Sequence, residues 1–438
     1  MKFAFTVGSS ALVHDRLVSI TAVSTASYAS AADMTGDTGI APVARIVGRL
    51  TMGRPADQIV GWIDAGRTPL DIAEELLAEA PLVVDIPQLD DDDDDWAAAT
   101  EWWLDVMRRP DNGIHERLIW FWHGHLTSGL DKSGPDAMMR QHALLRRHAL
   151  GNFRTMLQEI TLDPAMLGWL DGGASTASAP NENYARELME LFALGRGAYT
   201  EADVRNGARA LAGYRVDDDN RVVPERDAML TTSVGFLGTR VRTASEVIDA
   251  VCDHPACAPH VIGALYGAIV GSTPEPGRLD ELAELFRSSD LEIAPVVRAI
   301  VLHPSFLDDT TLRPRSPVEW FLAFERLTGA ELDGWTLELM GQTPMNPPNV
   351  AGWPGVMRWI SADAVLTKAS VAIDSTGDTE TLDASDPVAD VIRRAGVGTV
   401  SASTRTVLDT IVQRTPGRRE LSSLLHAAIA LSPEFSVT

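Results

Sequence analysis

Residues able to cap a helix stand directly before proline again and again along this chain: Thr68-Pro69, Asp163-Pro164, His254-Pro255, His303-Pro304, Ser316-Pro317 and Ser432-Pro433. Proline suits the first helical position, where its missing N–H would be unpaired anyway and its fixed φ is already helical. Ser316-Pro317-Val318-Glu319 also sets a glutamate where a reciprocal capping box needs one. Between the starts, apolar residues recur at helical spacing: Ile72, Leu76 and Leu77, then Leu282, Leu285 and Phe286, then Val296, Val297, Ile300 and Val301. The starts are irregularly spaced, which argues against a solenoid.

Strand signals are sparse. The best is Tyr214–Val223, where Asp217–Asn220 can turn a hairpin, and Thr231–Leu237 is a second short extended piece. The expected fold is therefore mainly α: a large multi-helix domain with a small β-hairpin insertion and a helical C-terminal extension. The expected divisions are a poorly ordered segment over 1–40, a helical domain over 41–370, a linker over 371–386, and C-terminal helices of the same unit over 387–438. The self-repelling run Asp90–Asp95 reads as a solvated loop.

Composition removes several function classes. The chain has 438 residues and a formal net charge of −24, from 37 basic and 61 acidic side chains. Phosphate backbones demand a basic surface, so no nucleic-acid partner is expected. No apolar run approaches the ~20 residues of a spanning helix, so no integral membrane segment is expected. Only Lys2, Lys132 and Lys368 are lysines. Two cysteines, Cys252 and Cys257, make neither a disulfide framework nor a four-cysteine zinc site. On one helix their side chains would diverge by about 140°. Unpaired thiols favour the cytoplasm. Export is the alternative, since Lys2 precedes an apolar stretch and Ala-Ser-Ala-Ala closes at Ala32, although His14, Asp15 and Arg16 interrupt the apolar centre.

Four segments can carry chemistry. In Pro180–Phe192, Asn181 can cap a helix that Gly195 ends, and Glu182, Arg186 and Glu190 fall on one stripe beside Glu187. Such a stripe is either an exposed ion-pair ladder or a buried acid–base constellation with a raised carboxyl pKa. In Trp120–Leu126, His123 and His125 share a face on a strand but point about 160° apart on a helix, where they cannot chelate one ion. A divalent metal, if the protein holds one, would be bound through His123 or His125. In Met138–Phe153, Gln141 and His148 frame an apolar stripe, and Arg140 lies beside them. That pair reads as a buried network or a site wall. In Asn346–Gly355, proline and glycine stiffen a loop carrying Asn349 and Trp353. Trp353 can stack on a ring or fill a gap between helices. No P-loop, dinucleotide fingerprint, Gly-x-Ser-x-Gly elbow or His-Glu-x-x-His helix is present.

These segments, with Asp163–Met166, Tyr199–Val216, Pro347–Trp359 and the terminal Leu431-Ser432-Pro433-Glu434-Phe435, resemble the bacterial family catalogued as domain of unknown function 1800. Asn181-Glu182-Asn183-Tyr184-Ala185-Arg186-Glu187-Leu188-Met189-Glu190-Leu191-Phe192 is the most specific part. The resemblance runs in order over roughly residues 42–438. It implies a mainly helical fold and carries over no catalytic residue. It also implies, from family context, a partner in the domain of unknown function 1501 family, which resembles sulfatases and alkaline phosphatases.

Two functions stand against each other. One is a hydrolase or lyase on a polymeric or sugar-containing substrate. There Glu182 and Glu187 do acid–base work, Arg186 orients them, and His123 or His125 assists. Trp353 is then the platform, and Arg140, Gln141, His148, Asn181 and Asn349 are further substrate contacts. The alternative is a non-catalytic helical scaffold that binds a partner protein, with the charged stripe as structural ion pairs and the tryptophans as anchors.

Overall fold

The capping devices form where the sequence places them. In the computed structural model, which describes residues 41–438 except 90–92, 308–310 and 378, Thr68 and Ser316 make reciprocal capping boxes with Asp71 and Glu319. Asp163 and Ser432 cap the helices Pro164–Trp169 and Pro433–Ser436. His254-Pro255 differs: the pair lies in a turn, and the helix Cys257–Val270 starts just beyond it. Cys252 therefore ends one helix, Ala244–Cys252, and Cys257 opens the next. The two thiols are buried and hydrogen-bonded, which with desolvation pushes the Cys252 pKa up.

The architecture is mainly α, with two small antiparallel hairpins. Tyr214–Val216 pairs Val222–Pro224, with Arg215 opposite Val223. Asn220, at φ 52°, takes the left-handed turn position. Thr231–Leu237 yields the strand Val234–Phe236, which pairs Thr239–Val241. The expectations for residues 1–40, including a leader, lie outside the described residues. Of the acidic run, Asp93–Asp95 opens the helix Asp93–Arg108 rather than continuing a loop, and acidic residues suit a helix N-terminus. The segment 371–386 begins as the last turns of the helix Ala362–Ser375, then buries Leu382.

Three core tryptophans pair their indole N–H groups with acceptors from distant segments. Trp122 donates to the Ala149 carbonyl (2.9 Å), Trp320 to the Ala430 carbonyl (2.9 Å) and Trp103 to Glu116 Oε1 (2.8 Å). A buried indole can supply its large apolar area without penalty only when its N–H is paired. The Trp320 contact ties the C-terminal helix Arg418–Ala430 to the helix Pro317–Thr328. Beside it the chain end pairs antiparallel with Arg313–Arg315: Arg315 N donates to the Ser436 carbonyl and Thr438 N to the Arg313 carbonyl. This pairing sets Arg313 and Arg315 next to the start of Pro317–Thr328, facing the helix Ile114–His125 through the Arg117–Glu319 contact.

Candidate functional site

The helix Ile114–His125 builds one wall of a pocket. Arg117, Phe121 and Gly124 repeat at helical spacing, with Trp120 and His125 beside them. The loop carrying Trp353 docks where Gly124 has no side chain. Gly352 (φ 75°) sits so close to the Gly124 carbonyl that a Cβ there would overlap it. The Trp353 indole then stacks on Trp120, centroids 4.7 Å apart and planes 18° from parallel. With Phe121 and Trp359 these rings enclose a cavity of about 220 Å³.

The polar side of the same cavity is formed by Arg117, Arg313, Ser316, Glu319 and Gln342. Arg117 and Arg313 both bind Glu319, Arg313 through Nη2 to Oε1 at 2.6 Å, and all three residues are buried. Glu319 Oε2 also accepts the Ser316 N–H (2.7 Å), so the capping box and the ion pairs share one carboxylate. Burial alone would raise the Glu319 pKa, but Arg117 and Arg313 outweigh it and hold the carboxyl well below the usual range. Lys368 is buried alongside, its Nζ 3.5 Å from the Trp359 carbonyl. Desolvation and the nearby Arg315 bring the Lys368 pKa down to about 8.

His125 lines the pocket from the last turn of the helix Ile114–His125. Its Nε2 donates to the Phe192 carbonyl at 2.8 Å, the only polarity a carbonyl permits. That bond fixes the tautomer and leaves the lone pair on Nδ1. Burial lowers the His125 pKa to about 4, so the ring is neutral at pH 7. The Phe192 carbonyl is available because it lies in the last turn of the π-helix Leu188–Ala193, where carbonyls have no intrahelical partner, and π-turns are frequent at functional sites. His260 does the same for the Leu191 carbonyl (2.8 Å). The sequence carried no signal for the π-turn, so the role of His260 was missed.

The same π-turn alters the charged stripe. Arg186 pairs with Glu182 (3.3 Å) and bidentately with Glu201 (2.9 and 3.0 Å). Glu190, carried round by the wider turn, binds Arg196 (2.7 Å) and the Tyr199 hydroxyl (3.0 Å). Glu187 is half-buried, and desolvation followed by repulsion from Glu190 raises its pKa. Among the described residues, no hydrogen bond, ion pair or ring contact joins Glu182, Arg186 or Glu187 to His123 or His125. Asn181 receives the Asn183 N–H (2.9 Å) and donates to the Asp171 carbonyl (3.1 Å), acting at the helix start.

The remaining candidates separate. Gln141 donates to Ser128 (2.9 Å) and to Asp163 Oδ1 (2.8 Å) in a buried network. His148 faces Glu159 (3.1 Å), and Arg140 binds Asp136 (2.8 Å). Asn349 Oδ1 accepts the Ala351 N–H, which shapes the Trp353 loop. His123 is packed edge-on to Trp103 (5.1 Å) and lies 5.4 Å from the Trp353 ring, so burial lowers its pKa to about 3. His123 and His125 lie on one helix, the conformation in which they point apart. Among the described residues, no group of three His, Cys, Asp or Glu side chains converges as a metal site would require. No helix among them is long and apolar enough to cross a membrane.

A family model described as "Protein of unknown function (DUF1800)" matches residues 23–437. The chain belongs to this family. No curated protein and no solved structure matches it. In this DUF1800 member, the motif-rich helix Asn183–Glu187 with its π-turn, the Trp120–Leu126 segment and the Trp353 loop meet around His125 and the aromatic pocket, through the Phe192 carbonyl on one side and the Trp120 stack on the other.

Proposed function

We propose that the protein is a lyase acting on a polymeric, sugar-containing substrate that bears carboxylates, with its site in the Trp120–Trp353 pocket. One observation carries the reading: an aromatic wall, two buried guanidiniums and a neutral histidine with a free Nδ1 line one cavity. Stacked indoles offer a flat apolar face to a sugar ring. Arg117 and Arg313 present a net positive floor to a substrate carboxylate, since Glu319 neutralises only one of them. His125 Nδ1 is suited to take the proton from the carbon α to that carboxylate, the arginines stabilising the charge that develops. The electron pair released forms the C=C bond and expels the β-oxygen, which is protonated by water.

Hydrolysis is less well supported, because glycoside hydrolysis uses two carboxyl groups flanking the bond and Glu319 is the only acidic side chain lining this pocket among the described residues. Glu319 is also held ionised between arginines, so it makes a poor proton donor. The test is incubation of the full chain with oligogalacturonate and, in parallel, a neutral glucan. Formation of unsaturated oligosaccharides from the first alone supports the reading. Reducing ends without unsaturation would make the protein a hydrolase, and no product or binding from either would remove the pocket as a sugar site.

A further inference from the structure

Glu319 also lines a second, smaller cavity of about 50 Å³ on the side facing the helix Pro42–Leu50, together with Arg54, Arg315, Arg326 and Arg394. Two of these arginines have carboxylate partners. Arg54 binds Glu79, and Arg394 binds Glu380 (2.9 Å) and Asp390 (3.1 Å). The other two make no ion pair among the described residues, although Glu325 attracts Arg326 and Glu319 attracts Arg315 at longer range. Arg326 donates only to the Met52 and Met107 carbonyls, both at 3.0 Å. The Arg315 guanidinium makes no hydrogen bond and no ion pair among the described residues. Its one contact is a cation–π approach, 4.9 Å to the Phe435 centroid, and its Nη1 is sealed from solvent.

Such a group is anomalous. Buried polar atoms are paired in the great majority of cases, and a desolvated guanidinium held by no ion pair is among the costlier arrangements a fold can contain. Glu319 attracts the Arg315 guanidinium without pairing with it, Arg313 repels it, and Arg315 in turn repels Arg326 and Lys368. The one carboxylate lining the cavity among the described residues, Glu319, is already held by Arg117 and Arg313. Arg315 and Arg326 therefore line the cavity without an ion-paired carboxylate of their own among the described residues.

We propose that this cavity binds a free tetrahedral oxyanion, inorganic phosphate or sulfate, held chiefly by Arg315 and Arg326. Size selects that class. One water needs about 10–15 Å³ of such space, so the cavity takes roughly four oxygen-sized atoms. An ion with four oxygens matches that volume. A planar guanidinium fork matches two oxygens of such an ion. The cavity shares Glu319 with the aromatic pocket, but the proposal does not rest on what that pocket binds.

The experiment is calorimetric titration of the full chain with sodium phosphate and with sodium sulfate, against sodium chloride at matched ionic strength. One saturable site for an oxyanion and none for chloride is expected. Arg315→Met should weaken that binding by about tenfold or more, the loss expected for a charge-assisted hydrogen bond. Arg315→Lys, which keeps the charge and loses the fork, should fall between. If Arg315→Met fails to fold, Ala323→Met, which fills the cavity and leaves every arginine in place, should abolish binding. No saturable heat with either ion in the wild-type chain overturns the proposal, as does unchanged affinity in a folded Arg315→Met or Ala323→Met protein.

Discussion

Arg313 closes on Glu319 through both terminal guanidinium nitrogens, Nη2 to Oε1 at 2.6 Å and Nη1 to Oε2 at 3.3 Å, while Arg117 holds the same carboxylate from the facing helix. Removing that carboxylate strands two buried cations, a loss of about 3–5 kcal/mol. Glu319→Gln should therefore lower the urea midpoint sharply, whereas Glu182→Gln, on an exposed pair, should change stability by less than about 1 kcal/mol. The acid response follows from the depressed pKa. Glu319 stabilises the fold above the unfolded carboxyl pKa, near 4.5, and the contribution is lost as pH falls below it towards the folded value. Equal denaturation midpoints for the two variants would refute the assignment.

Asp163 should behave in the opposite sense. Its carboxyl is buried, and desolvation outweighs the Met166 N–H and the Gln141 amide to bring its pKa up to about 7. The fold thus prefers the protonated acid. Its contribution is fully present below the unfolded pKa near 3.8 and is lost, at up to about 1.4 kcal/mol per pH unit, as pH rises through 7. Asp163→Asn keeps a good helix cap and an acceptor for Gln141. The variant should gain stability over wild type at pH 8 and gain little at pH 4. Parallel stability curves across that range would show that Asp163 is ionised throughout.

The contrast between these carboxylates shows what the sequence could and could not reveal. The Ser316–Glu319 box is a local device, written in adjacent residues, and was legible. That Glu319 also neutralises Arg117 was not, because the partner lies far along the chain and only tertiary packing joins them. The hairpin at Asp217–Asn220 was legible for the same local reason. The stripe Glu182–Arg186–Glu190 assumed a 3.6-residue period, which the π-turn at Leu188–Ala193 breaks. Trp353 was legible as a ring on a stiff loop. Its stacking partner and the role of His125 required knowing that the loop docks on Gly124.

His125 should stay neutral through the physiological range. With Nε2–H fixed on the Phe192 carbonyl and a pKa near 4, its ring nitrogen shifts should be flat from pH 8 to about pH 5.5 and report the Nε2–H tautomer. Because the folded pKa lies below the unfolded value of 6.5, this histidine's contribution to stability is full above 6.5 and is lost as pH falls towards 4. A titration midpoint near 6.5 in the native protein would mean that the ring is not desolvated, and the Nδ1–H tautomer would mean that the Phe192 bond does not form.

The Trp353 wall is open to a backbone test that leaves every pocket side chain in place. At Gly352, φ is 75° and a Cβ would overlap the Gly124 carbonyl, so Gly352→Ala must move the loop. Displacement separates the Trp353 and Trp120 rings, now 4.7 Å apart, and the near-ultraviolet dichroism of the stacked pair should collapse. The helical core does not depend on that stack: Trp122 and Trp320 keep their own carbonyl partners. Far-ultraviolet dichroism should therefore stay unchanged, and the loss in stability should be only about 1–3 kcal/mol. Oligogalacturonate affinity should fall with the stack. Gly355→Ala, whose added methyl meets nothing, is the matched control and should leave both signals intact. If Gly352→Ala retains the stacked-ring signal, the close approach of Gly352 to Gly124 does not position Trp353.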